Sequence, residues 1–183
     1  GYTSLLVSTN LSSNVNRNNK LFFHLFTTNF SGEHEPASGT ITISRIKEPE
    51  NLFRRRLWSK PDKFLHTKNE HATLFPHDIY DKIVPYTKRK IEKMVFRQNF
   101  NTKANRKIAP GDISSWKDGW YVIHIKTKDP YGTPIFHKKY FTVFSPTEGK
   151  SHRKQYCSVK PVSSSAKPGD TAKLLIESYA NNA

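Results

Sequence analysis

Apolar and polar residues alternate along most of this chain. Thr40-Ile41-Thr42-Ile43-Ser44 places both isoleucines on one face. Tyr121-Val122-Ile123-His124-Ile125-Lys126 turns Tyr121, Ile123 and Ile125 inward and leaves Lys126 to solvent. Tyr140–Phe144 and Ala172–Glu177 repeat the pattern. A period of two is the signature of strands with one buried face. Leu21–Thr27 is apolar at nearly every position, which predicts a central strand covered on both sides. Lys93–Phe100, Tyr2–Thr9 and Tyr156–Val162 read as further strands. Asn29-Phe30-Ser31-Gly32 and Asp129-Pro130-Tyr131-Gly132 carry turn chemistry: an Asn or Asp that bonds its own backbone, then a Gly free to take positive φ. The second turn joins Tyr121–Thr127 to Ile135–Phe144 as a hairpin. No stretch sustains a helical period. Pro76–Ile83 and Ile113–Trp116 are the places for single helical turns. The expected fold is an all-β, antiparallel sandwich of the fibronectin or immunoglobulin type.

Two segments break this rhythm. Residues 47–90 hold four prolines and much charge, together with Leu52, Phe53, Leu57, Trp58, Phe64 and Phe75. So many large apolar groups predict an ordered excursion packed over a sheet edge or face, with Trp58 as an anchor. Ser145-Pro146-Thr147-Glu148-Gly149-Lys150 is the second break, after a strand that reads as terminal. The reading is therefore one sandwich domain over 1–145, with the excursion inside it, and a linker with the first strands of a following, truncated domain over 146–183. Two strands alone enclose no core.

Composition adds charge to this picture. The 183 residues include 30 Lys and Arg against 15 Asp and Glu, for a net charge of +15. Such an excess suits a surface that attracts polyanions. The cations cluster in Arg54-Arg55-Arg56, Lys88-Arg89-Lys90, Lys103 to Lys107, Lys138-Lys139 and Lys150 to Lys154. Arg54, Arg55, Arg56, Lys88, Arg89, Lys90, Lys138 and Lys139 are the candidate polyanion contacts. None lies in a recognition helix, zinc finger or ribonucleoprotein motif, so specific nucleic-acid binding is not expected. No apolar run approaches the ~20 residues of a membrane span.

Cys157 is the only cysteine, which excludes an internal disulfide, and its strand-like setting predicts a half-buried small side chain rather than a nucleophile. His66, His71 and His77 do not align on one helix or strand face, and His24, His124 and His137 lie on separate strands. The eight histidines thus mark no metal site. Asp112 and Asp129 read as turn formers. Phosphate loops and nucleophile elbows are absent from the sequence. The expectation is a protein that is not an enzyme and carries no cofactor. Tyr121 and Phe141 are expected in the core, whereas Trp58 and Trp116 are the candidates for exposed aromatic surface.

Several short motifs occur together in a meaningful order. Pro168-Gly169-Asp170-Thr171-Ala172-Lys173-Leu174 resembles the turn and strand that open a macroglobulin-type domain of the alpha-2-macroglobulin family. Gly119-Trp120-Tyr121, Thr127-Lys128-Asp129-Pro130-Tyr131-Gly132 and Tyr140-Phe141-Thr142-Val143 resemble that family's Gly-x-Tyr strand, Lys-Asp-x-x-Gly hairpin and closing strand. Ser38-Gly39-Thr40-Ile41 is similar to its Gly-x-Ile strand, and Trp58-Ser59-Lys60-Pro61-Asp62 to a Trp-x-x-Pro-Asp element of large bacterial members of the Bacteroidetes type. The resemblance runs from about Leu21 to Ser178.

It implies a macroglobulin domain, a fibronectin-like sandwich repeated along a long exported chain in the periplasm or at the cell surface. Such chains trap proteases after cleavage of a bait segment, often through a Cys-Gly-Glu-Gln thioester. Cys157 is followed by Ser158, Val159 and Lys160, so no thioester forms there, and no bait is identifiable. The implied role is scaffold within a protease trap. Its partners would be neighbouring macroglobulin domains and, through the full-length protein, host or bacterial proteases. The alternative is a stand-alone sandwich that binds an anionic glycan or other polyanion through a basic surface. A hydrolase is the weakest of the three readings.

Overall fold

The computed structural model describes residues 4–54, 56–57, 59–146, 155–161 and 167–179. The chain divides into two compact units. The first comprises residues up to Lys47 together with Lys90–Ser145, and the second comprises Glu48–Arg89 with the segment from Pro146 onward.

The first unit is an all-β sandwich. Its strands are β1 (Leu6–Thr9), β2 (Asn14–Asn16), β3 (Leu21–Thr28), β4 (Ser38–Ile46), β5 (Ile91–Asn101), β6 (Lys107–Gly111), β7 (Gly119–Lys128) and β8 (Pro134–Phe144). One sheet runs β1-β3-β6 and the other β2-β8-β7-β4-β5. The second sheet is mixed, not wholly antiparallel as expected: β2 lies parallel to β8, in the register Val15 to Val143. Thr142 N–H donates to Ser13 O at 2.9 Å, and Arg17 N–H to Phe144 O at 2.9 Å.

The core fills the space between the sheets. Leu21, Phe23, Leu25 and Ile108 from one sheet meet Ile41, Ile43, Ile123, Ile125, Phe141 and Val143 from the other. The alternation of Ile41/Ile43 and of Tyr121/Ile123/Ile125 is as the sequence dictates, with Lys126 exposed. Trp116 corrects the expectation of surface exposure. Its N–H bonds back to Ile113 O, and the tight turn tucks the indole inside, stacked on Tyr121 at 5.2 Å. Tyr121 stacks in turn on Phe141 at 5.6 Å. Its hydroxyl donates to Lys117 O at 2.7 Å, and burial pushes that phenol well above its ordinary range.

Strand β3 also departs from expectation. Leu21, Phe23, Leu25 and Thr27 face the core, but Phe22 and Phe26 on the other side are exposed. The outer face of its sheet is aromatic yet open, with Lys107 Nζ 4.8 Å from the Phe22 ring centre.

Both expected turns form by the same device. Asn29 Oδ1 accepts from the N–H groups of Ser31 and Glu33, and Gly32 takes φ of 82°. Asp129 Oδ1 accepts from Tyr131 and Thr133, and Gly132 takes φ of 85°.

The second unit contains α1 (Lys68–Leu74), a single 3-10 turn at Tyr86–Lys88, and an antiparallel pair of β9 (Ser158–Pro161) with β10 (Leu174–Glu177). Helix α1 was not expected. Thr67 and Glu70 form a reciprocal capping box that fixes its first turn. Residues 48–89 of the excursion fall in this unit, where Leu57 is 87% exposed and Phe64 and Phe75 are partly exposed. Trp58 and Arg55 lie outside the described residues. Cys157 is exposed, because it precedes β9 and does not sit within a packed strand.

Candidate polyanion-binding face

Once the core is filled, the outer face of the five-stranded sheet is set by register. Arg97 of β5 stands opposite Thr42 of β4, Thr42 opposite His124 of β7, and His124 opposite Lys138 of β8. The next row reads Asn99, Thr40, Lys126 and Phe136. Directly paired residues share a face, and successive residues alternate faces. Ile41, Ile43, Ile123 and Ile125 are buried in the core, so both rows point outward.

Arg97, Lys126 and Lys138 are exposed, and so is Phe136. His124 is half-buried between them. Burial, and then the charges of Lys138 and Lys126, hold its imidazole below the ordinary histidine range. Thr40 Oγ1 donates to Asn99 Oδ1 at 3.0 Å, which ties the outermost strand into the row. A third row, Met94, Ser44, Val122 and Tyr140, is uncharged. None of the three rows contains Asp or Glu. Strands lie ~4.8 Å apart, so the Arg97-to-Lys138 row spans about 14 Å of backbone. Lys126 and Lys138 are diagonal neighbours on adjacent strands, while Arg97 stands two and three strands away from them, beyond the ~8 Å Debye length at physiological salt.

Most of the residues singled out in the sequence are not brought together. Lys138 and Lys139 are adjacent on β8 and therefore point to opposite sides. Lys138 joins the outer face, whereas Lys139 pairs with Ile123 and donates its Nζ to Thr9 O at 3.0 Å. Burial holds the Lys139 amine below its usual range. Arg54 is bound to Asp78 at 2.9 Å. The Arg56 guanidinium donates to the Ile79 and Tyr80 carbonyls. Arg89 pairs with Glu48 at 3.7 Å and donates to Val84 O at 3.0 Å. These arginines fasten the second unit to itself. Lys88 and Lys90 are exposed, in different units.

Sequence reading missed Arg97, His124 and Lys126 as a group. The signal was present as the polar positions of the period-two pattern in β5 and β7. Only the cross-strand register brings those positions side by side.

The second unit holds a cavity of about 350 Å³ lined by Arg54, Arg56, Phe64, His66, His71 and Tyr80, among others. Phe64 stacks on Tyr80 at 4.3 Å there. Among the described residues no cluster of three His, Cys, Asp or Glu could hold a metal ion. No helix among them is long and apolar enough to cross a membrane. No family model matches this chain, and no curated protein matches it.

Proposed function

We propose that this chain is a non-enzymatic structural module of an exported, macroglobulin-type protease-trapping protein. The observation that carries the reading is the turn before β10. Lys167 N–H donates to Asp170 Oδ2 at 2.8 Å, Asp170 N–H donates to Lys167 O at 3.0 Å, and Gly169 takes φ of 93°. The Pro-Gly-Asp motif is therefore a formed turn that leads into a strand, and this supports the reading. The all-β sandwich before it supports the same reading. In this role the sandwich holds its neighbours in place, and bait cleavage and capture occur elsewhere in the full-length protein.

The test uses the full-length gene product and trypsin. Captured trypsin is expected to keep hydrolysing a small chromogenic peptide while losing activity on a large protein substrate. Replacing the sandwich by a flexible linker is expected to abolish that selective protection. If the full-length product leaves trypsin unchanged on both substrates, the reading is wrong. The alternative of a stand-alone polyanion-binding module draws its support from the acid-free outer face of the five-stranded sheet.

A further inference from the structure

From the register of this sheet, we infer that the outer face of β5-β4-β7-β8 binds a linear anionic polysaccharide through Arg97, Lys126 and Lys138. The inference does not depend on the protease-trap reading. Three exposed cations stand on three strands, in two adjacent rows, with no carboxylate among them. An exposed cation with an acidic neighbour is already partly neutralised; these three face solvent together. A flexible chain of anions that crosses the strands meets them in sequence and releases counterions as it does so.

The groups between the cations select the class of polymer. Thr40, Thr42 and Asn99 supply small hydroxyl and amide groups along the same rows. Such groups match the hydroxyls of a sugar chain. Single-stranded nucleic acid is usually held by flat aromatic rings on which successive bases stack. Here Phe136 is the only exposed ring in the two rows, and it lies at the end of one of them. His124 sits at the centre of the cluster, between Thr42 and Lys138. The arrangement therefore favours anionic glycan over nucleic acid.

The experiment measures binding of the 183-residue chain to heparin, to polygalacturonate and to a single-stranded oligonucleotide of similar charge, across a salt series. A triple variant, Arg97→Gln, Lys126→Gln and Lys138→Gln, is compared with a control triple, Lys63→Gln, Lys68→Gln and Lys173→Gln. The control removes the same formal charge from exposed positions of the second unit. The substituted positions are all on the surface, and matching thermal melts establish that both variants are folded. The face variant is expected to bind both glycans at least tenfold more weakly, with a shallower salt dependence, and the control less than twofold. Equal losses in the two variants would mean that diffuse net charge does the binding, and would overturn the inference. So would tighter binding of the oligonucleotide than of either glycan, or no glycan binding at physiological salt.

Discussion

Gly39 of β4 lies against both the β7 backbone and the Phe100 ring. A Cβ at this position would lie 2.1 Å from Lys126 O and 3.0 Å from Phe100 Cζ. The first contact is with backbone in the middle of a sheet and has no room to yield. Gly39→Ala is expected to cost about 2–3 kcal/mol by overpacking, read as a lower urea midpoint with an unchanged slope. An unchanged midpoint would mean that β4 and β7 are not locked at this register. The buried Asp118 is a second fixed point. It meets Arg17 at 3.4 Å and accepts from Ser145 N–H at 3.1 Å, which closes the last strand's exit. His124 and His137 give the sandwich a pH dependence. Burial is the larger cause for both, and it acts with Lys138 and Lys126 around His124 and with Lys139 beside His137 to lower their proton affinity below the ordinary value near 6.5. Above that pH both states of the protein carry neutral imidazoles, and these groups contribute nothing. Below it the unfolded chain takes up protons that the fold resists, so stability falls. The melting temperature is expected to drop between pH 7 and pH 5, and His124→Gln with His137→Gln is expected to flatten that drop. Asp129 acts in a separate, more acidic window. Burial raises its pKa, but N–H donors from Thr133, Ser4 and Tyr131 outweigh it and hold the carboxyl low.

At the scale of elements, what the sequence made legible depended on how local the cause was. The turns at Asn29 and Asp129 are decided within five residues, and both formed. The inward faces of β4 and β7 follow from uninterrupted alternation. Strands β2 and β6 were invisible: one spans three residues and the other contains Pro110 and ends at Gly111. Each exists because a neighbouring edge accepts it. Strand β10 shows the limit of a periodic pattern. Its alternation is real, but Leu174 and Ile176 face outward, as does Val159 opposite Ile176. Glu177, on the other side, is buried and accepts a hydrogen bond from the Ser158 hydroxyl at 3.2 Å. Period two establishes that two faces differ; it does not decide which one a partner covers. The candidate site shares this limit. Lys138 was legible as part of a basic pair, but the separation of Lys138 from Lys139 and the union of Lys138 with Arg97 are facts of pleat and register.

At the scale of the molecule, the excursion is closed at its neck. Ile46 pairs with Ile91, and Lys47 N–H donates to Lys90 O at 2.9 Å. The chain leaves β4 and returns to β5 at the position where a tight hairpin would turn. Replacing residues 48–89 by Asn-Gly, which favours a two-residue hairpin turn, is expected to leave the sandwich folded. Near-ultraviolet circular dichroism from the Trp116–Tyr121–Phe141 stack, with a single cooperative melt, is the measurement; loss of the melt would show that the sandwich needs its insertion. The parallel pairing of β2 with β8 has a consequence of another kind. β2 is near the beginning of the sandwich and β8 is its last strand. Tension applied to the two ends of the sandwich draws these strands past each other along their length, so the hydrogen bonds between them are loaded in shear and share the load. An antiparallel pair at the same place would peel apart one bond at a time. The short patch from Ser13 to Arg17 therefore has to give way as a unit before those two strands can slide apart.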